Sequence, residues 1–241
     1  MASPDHIQIG NLTGVFKVVS KVFDPFFPNM SPPPSTVNQE KHRESGPWLT
    51  IGLGIFVDEQ NKDLSDDIAP LLELQNINWL IRKMMATGAP TLDIKEYVDS
   101  DGGGKAKLEI TLSGPAGIKG LDHKVLDWEP VKKSNGPFGL VENRGRYYSG
   151  KVEPVSSPLA DEVVEFLNAE TLADGSPSAW AGTSADQHLH TAMISEGGGW
   201  ISEQTWGFEI IDGQRYHTRR GIVSKQGGET RRGRLVYDYV G

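Results

Sequence analysis

Between Trp48 and Val57 the apolar positions alternate. Leu49, Ile51, Leu53, Ile55 and Val57 share one face, and Trp48, Thr50, Gly52, Gly54 and Phe56 share the other. A period of two marks a strand with one face in a core. Over residues 68–86 the period changes: Leu71, Leu74, Asn78, Ile81 and Met85 fall on one helical stripe, with Leu72, Ile77, Leu80 and Met84 beside it. One helix is predicted there, started by Asp66 or Asp67 and stopped by Gly88. Period two then returns. Leu92, Ile94, Glu96 and Val98, and then Leu108, Ile110 and Leu112, flank a turn at Asp101-Gly102-Gly103-Gly104, which predicts a hairpin. Further strands are predicted over 124–129, 138–148, 187–194, 200–211, 214–225 and 229–240. Asn135-Gly136, Gly197-Gly198-Gly199, Asp212-Gly213 and Gly227-Gly228 punctuate them. Residues 161–168 read as a short surface helix. The pattern is all-β and mainly antiparallel, a β-barrel or sandwich with one or two short helices.

The N-terminal region differs. An apolar run from Val15 to Phe23 gives way to Asp24-Pro25-Phe26-Phe27-Pro28 and Ser31-Pro32-Pro33-Pro34-Ser35. Proline cannot donate to a sheet ladder, so residues 1–45 are expected to form a Pro-rich arm or edge element around one barrel domain, 46–241. A length of 241 residues fits a single all-β unit. The 32 acidic and 24 basic side chains leave a net charge of −8, which argues against a nucleic-acid groove. Cysteine is absent, so disulfides and thiolate chemistry are excluded. No basic segment followed by an apolar run opens the chain, and no run approaches the ~18 apolar residues of a membrane span. A cytoplasmic location is expected; the oligomeric state leaves no mark in the sequence.

Candidate chemistry concentrates in the strand over 200–211. Trp200, Ser202, Gln204, Trp206, Phe208 and Ile210 lie on one face, and Ile201, Glu203, Thr205, Gly207 and Glu209 on the other. The acidic face is expected to meet water. The first face is then interior, aromatic with polar atoms among the rings, which suits a small-molecule cavity with oriented donors. In the preceding strand, Gly182 and His188-Leu189-His190 match the opening of a cupin metal motif, but its later ligands are missing, so no metal site is expected. His190 is instead a candidate donor facing the cavity. Arg144 and Arg146 share a face, either inward as carbonyl ligands or outward as a charge ladder. Tyr216 is a further candidate donor. Arg219-Arg220 and Arg231-Arg232-Gly233-Arg234 are expected to pair across strands with Glu209 and Asp238, the alternative being that they bind an anionic ligand. Nucleophile elbows, dinucleotide glycines and kinase or deaminase signatures are absent.

Several stretches carry a resemblance: Thr87-Gly88-Ala89-Pro90-Thr91-Leu92-Asp93-Ile94, Leu126-Asp127-Trp128, Phe138-Gly139, and Gly199-Trp200 with Gln204-Thr205-Trp206-Gly207-Phe208-Glu209. Over roughly 48–240 the chain resembles small fungal lipocalin-like (calycin) Diels–Alderases of cytochalasan-type natural-product biosynthesis. The resemblance implies a calycin-type barrel and a cofactor-independent intramolecular [4+2] cyclase in secondary metabolism. The implied substrate is an apolar polyketide–amino acid intermediate. Gln204 and His190 are then the candidate catalytic donors. Trp206, Trp200, Ser202, Phe208, Tyr216, Arg144 and Trp128 are candidate substrate contacts. Two other readings stay open: a non-catalytic carrier of a hydrophobic small molecule, and a metal-dependent oxygenase or isomerase using His188 and His190.

Overall fold

The glycine turns set the architecture. In the computed structural model, which describes residues 2–19, 64–86, 89–98, 103–114, 119–156, 158–183, 186–225 and 227–241, one antiparallel sheet holds ten strands among the described residues. They are β1 Gly14–Val18, β2 Thr91–Val98, β3 Ala106–Ser113, β4 Lys119–Val125, β5 Val131–Ser134, β6 Leu140–Tyr148, β7 His188–Ser195, β8 Trp200–Ile211, β9 Gln214–Lys225 and β10 Thr230–Tyr239. The spatial order β4-β3-β2-β1-β10-β9-β8-β7-β6-β5 is two meanders joined by the β1–β10 pair. The predicted strand over 48–57, the Gly88 helix stop and the 45/46 boundary lie outside the described residues.

Some expectations change. β1 comes from the N-terminal region read as an arm or edge, yet it is an interior strand between β2 and β10. The strand expected over 124–129 starts earlier, as β4, and stops at Val125; Trp128 beyond it has φ 65°. The single helix over 68–86 is two, α1 Ala69–Leu74 and α2 Trp79–Ala86. Asn76 breaks the stripe with φ 61°, a left-handed conformation that asparagine tolerates better than most side chains. The N-cap of α1 is Ile68 rather than Asp66 or Asp67, though Asp67, one residue earlier, accepts the Ala69 N–H at 2.8 Å. The predicted surface helix is α3, Asp161–Leu167.

Register follows from the turns. Asp212 and Gly213 both have positive φ, 50° and 78°, as a two-residue hairpin turn requires. Ile211 therefore pairs with Gln214, and counting back brings Phe208 opposite His217 and Trp206 opposite Arg219. The sheet curls until its ends approach. Trp128 N–H donates to Gly145 O at 2.9 Å, and a Cβ at Gly145 would stand 3.0 Å from Leu126 Cδ2. Lys133 on β5 binds Asp122 on β4, which Lys124 also binds at 2.8 Å. Side chains rather than a full backbone ladder thus close the barrel.

Two layers use the two faces. Phe16, Leu92, Ile94, Leu108, Leu189, Trp206 and Tyr237 form the inner core, with Ile7, Ile9 and Leu12 packed in from the N-terminal segment. Leu71 and Leu74 of α1 cover Val141, Trp200 and Val223. Gly221 and Gly233 make room for Leu71, whose Cδ atoms would lie 3.7 and 3.4 Å from added Cβ atoms. On the outer face, Val152 and α3's Val163, Phe166 and Leu167 pack on Ile222. No helix among the described residues is long and apolar enough to cross a membrane.

Candidate functional site

Residues paired directly across antiparallel strands point to the same face. Trp206–Arg219–Leu235 and Phe208–His217–Tyr237 therefore line the inner face in two rows. Gln204, Ser202 and Trp200 continue the β8 side of it. Trp200, Ser202, Trp206 and Phe208 are buried, as expected for interior positions. Gln204 is half-buried, and its Oε1 accepts the Trp206 Nε1–H at 3.2 Å. Trp200 meets Phe138 edge-on at 6.1 Å beside a cleft of about 400 Å³ that reaches Val141.

Arg219 is the unexpected member. It is only 9% exposed, with its guanidinium 3.5 Å from the Trp206 ring centroid and 5.0 Å from that of Tyr237. Among the described residues no carboxylate makes ion-pair contact with it, and its Nη2 is buried without a hydrogen-bond partner. Burial lowers its pKa, while Tyr237 and the more distant Asp122 act the other way. A guanidinium stays charged in proteins, so the interior holds a desolvated cation with a free donor. Its Nε–H donates to His217 Nε2 at 3.2 Å. Asn143 is a second orphan: it is buried on the inner face, and both its side-chain Nδ2 and Oδ1 lack partners. Buried polar groups left unpaired are costly, and they mark places where a ligand's polar atoms fit.

The other sequence candidates lie elsewhere. His190 pairs with Thr205, and Gln204 with Thr191, so His190 and Gln204 point to opposite faces and cannot reach one ligand atom. His190 Nε2 lies 2.9 Å from Glu203 Oε2 on the outer face, and both side chains are fully buried. The expectation that Glu203 and Glu209 meet water is therefore corrected: residues 150–156 and 158–181 cover that face, and the two carboxylates pin the cover down. Glu203 accepts the Val155 and Ser156 N–H groups, each at 2.8 Å, and the Ser156 hydroxyl. Burial works against its charge, but His190, Ser156 and the two backbone donors outweigh it and hold the carboxyl below its usual range. Glu209 binds Arg220 at 2.9 Å and Arg234 at 2.7 Å, and Arg220 donates onward to Phe166 O and Thr171 O. Arg220 thus meets Glu209 as expected; Arg219 does not.

Arg144 binds Glu142 on the outer face, through Nε at 2.9 Å and Nη2 at 2.7 Å, the charge-ladder alternative. Trp128 lies against His190 at 4.8 Å with Arg146 over its ring at 4.2 Å. Tyr216 shares the outer face with Glu209 and donates to Gln214 Oε1 at 2.7 Å. His188, also on the outer face, stacks on Trp180 at 4.9 Å. The structure thus gathers Gln204, Trp206, Trp200, Ser202 and Phe208, and separates them from His190, Arg144, Trp128 and Tyr216. Sequence reasoning missed Arg219, His217, Tyr237 and Asn143. The signal for Arg219 and His217 was the Asp212-Gly213 turn, which fixes which β9 residues face Trp206 and Phe208; Tyr237 follows from the β9–β10 register.

No family model matches the sequence. A solved structure of the fluorescent protein UnaG aligns over 96% of this chain and 99% of its own, with 11% identity and a TM-score of 0.43. The probable pericyclase scpY of Mollisia scopiformis is 32% identical over 182 residues, 75% of this chain and 86% of that protein. The pericyclase pydY of Acremonium sp is 29% identical over 182 residues, 75% of this chain and 88% of its own. An identity of 32% sustained over most of scpY places this barrel by descent: the chain belongs to the family of these pericyclases.

Proposed function

We propose that the chain is a cofactor-independent intramolecular [4+2] cyclase that folds an apolar polyketide–amino acid intermediate against the inner face of the barrel. The observation that carries this reading is Arg219, a desolvated guanidinium between Trp206 and Tyr237 with an unused N–H. A pericyclic closure forms two σ bonds from π bonds of one molecule, moves no proton and leaves the mass unchanged. It needs no nucleophile. It needs the diene held beside the dienophile, which aromatic and aliphatic walls supply by restricting conformation. It is further accelerated by a donor to the carbonyl conjugated with the dienophile, where electron density builds in the transition state.

Arg219 is oriented for that task before substrate arrives, so little reorganisation is needed during reaction. Its charge acts in an interior where water does not screen it. The Asn143 amide offers its N–H donors and its acceptor oxygen to the amino-acid-derived end of the substrate. Gln204 has spent its oxygen on Trp206, and its amide N–H is the second candidate donor.

The test is incubation of pure protein with an extract containing the uncyclised intermediate, followed by mass spectrometry. A new product of unchanged mass supports the reading. Arg219→Gln should slow its formation by about 30- to 1000-fold, from the ~2–4 kcal/mol of one well-placed transition-state donor. Binding of the precursor without turnover would make the protein a carrier. Full turnover by folded Arg219→Gln would remove Arg219 from the mechanism.

A further inference from the structure

We propose that His217 is the positioning residue that sets the direction in which Arg219 presents its free N–H. The inference rests on the reading of Arg219 given above and concerns a residue that touches no substrate in it. His217 is fully buried inside a ring of aromatic side chains: Phe16 at 5.2 Å, Tyr237 at 5.4 Å, Phe208 at 5.5 Å and Trp206 at 6.0 Å. Its Nδ1 lies 3.1 Å from the backbone oxygen of Gly207. A carbonyl oxygen only accepts, so Nδ1 carries the hydrogen.

In the neutral ring Nε2 is then bare, and it accepts the Nε–H of Arg219 at 3.2 Å. Burial first, then the positive charge of Arg219 and Arg215, pushes His217 well below the ordinary 6.5, which keeps the ring neutral. The chain of bonds runs from a backbone carbonyl of β8, through the imidazole, to the guanidinium. The contact with the Trp206 ring at 3.5 Å holds the guanidinium over that ring but does not by itself set its orientation there. The bond from Nε to His217 sets it. What remains is a guanidinium whose outer nitrogen points one way. A donor misaimed by a fraction of an ångström loses much of its effect on the transition state.

Two variants separate aim from packing. His217→Phe keeps a buried ring and removes the acceptor. His217→Gln keeps an acceptor for Arg219 and a donor for Gly207 O. The substrate is a synthetic linear polyenoyl amide carrying a tethered electron-poor alkene, and the rate of its isomerisation gives kcat and KM. Folding of each variant is checked by circular dichroism and urea midpoint. In addition, two-bond 1H–15N correlation on 15N-labelled wild-type protein reads the tautomer of His217 directly.

The expected results are an imidazole protonated on Nδ1 alone, a kcat for His217→Phe about 10- to 100-fold down with KM little changed, and recovery of most of that loss in His217→Gln. A proton on Nε2, or a folded His217→Phe with wild-type kcat, overturns the proposal. Should His217→Phe fail to fold, the tautomer and the kcat of His217→Gln decide: a proton on Nδ1 with near-wild-type kcat supports the proposal, and either one failing overturns it. Arg219→Gln is run alongside. If it keeps the full rate, the reading of Arg219 falls and takes this proposal with it. If it is slow while folded His217→Phe is not, only the role of His217 falls.

Discussion

Replacing Glu203 by alanine should be among the most damaging single changes on the outer face, although the residue lies away from the proposed substrate surface. Its side chain is fully buried and gathers four donors: His190 Nε2, the Val155 and Ser156 N–H groups and the Ser156 hydroxyl. Truncation strands these donors and leaves a polar cavity. Hydrogen bonds to a buried charge are worth about 1.5–3 kcal/mol each, but they share one acceptor and water re-enters, so they do not add. Stranding a buried donor costs about 1–3 kcal/mol, and several are stranded together here, so a total of about 3–5 kcal/mol is expected. For a chain of this size it corresponds to a fall in Tm of roughly 10 °C. Urea denaturation at pH 7, followed by intrinsic fluorescence, measures it.

The pH dependence gives a second check with a fixed sign. The Glu203 carboxyl is held below its ordinary 4.5 in the folded chain. Its contribution is therefore complete above that ordinary value and is lost as pH falls through the lower folded one. The stability gap between wild type and Glu203→Gln should be constant from pH 7 to 5 and should narrow below pH 4. A loss under ~1 kcal/mol in Glu203→Ala at pH 7 would refute the reasoning, as would a gap that persists unchanged into strong acid.

Three further outcomes are expected. Gly207→Ala should lower the urea midpoint, with a cost of about 1–3 kcal/mol, because its Cβ would stand 2.7 Å from Trp180 Cε3 and 2.9 Å from His188 Nδ1. An unchanged midpoint would count against the Trp180–His188 stack as the cover at that point. Trp206→Ala removes both a wall of the inner face and the ring under Arg219; it should cost about 3–5 kcal/mol of stability, raise KM and give more than one diastereomer of product. A single diastereomer at wild-type KM would show that Trp206 does not shape the site. Dialysis against a strong chelator should leave turnover intact, because His190 Nε2 is already engaged by Glu203 and only His188 of that pair keeps an open ring nitrogen. Loss of activity restored by one particular metal would contradict this.

Elements bounded by tight turns were readable from the chain alone. β8 and β9 match their predicted limits residue for residue, because Asp212-Gly213 allows one hairpin geometry. The same turn makes the Trp206–Arg219 pairing a matter of counting. Since neighbours in a strand alternate faces, one of Arg219 and Arg220 had to point inward. The loop between β7 and β8 has no such rule. It spans Glu196–Gly199, and this length sets His190 against Thr205; one residue more or fewer would have set His190 on the face of Gln204. The buried acids were misread for another reason. Alternation shows that two faces differ, but Glu203 and Glu209 look solvated until α3 and its flanking loops are laid over them. Nothing local to β8 encodes that cover.

The β1–β10 pair has a consequence in time. Phe16 sits against Tyr239, while the other pairings within each meander join strands that follow one another along the chain. Hairpins close in microseconds because their loops are short, and contacts between distant residues form slowly because the intervening chain must be ordered first. The hairpins β2–β3, β7–β8, β8–β9 and β9–β10 have the means to assemble early from their own short turns, whereas residues 19–90 separate β1 from β2, and the pairing of β1 with β10 waits on a closure spanning almost the whole sequence. On refolding, backbone amides of β8 and β9 should gain protection from exchange well before those of β1. Until β1 docks, β2 and β10 each present an unpaired edge, and it is in that interval, rather than in the finished barrel, that one copy of the chain is most exposed to pairing with another.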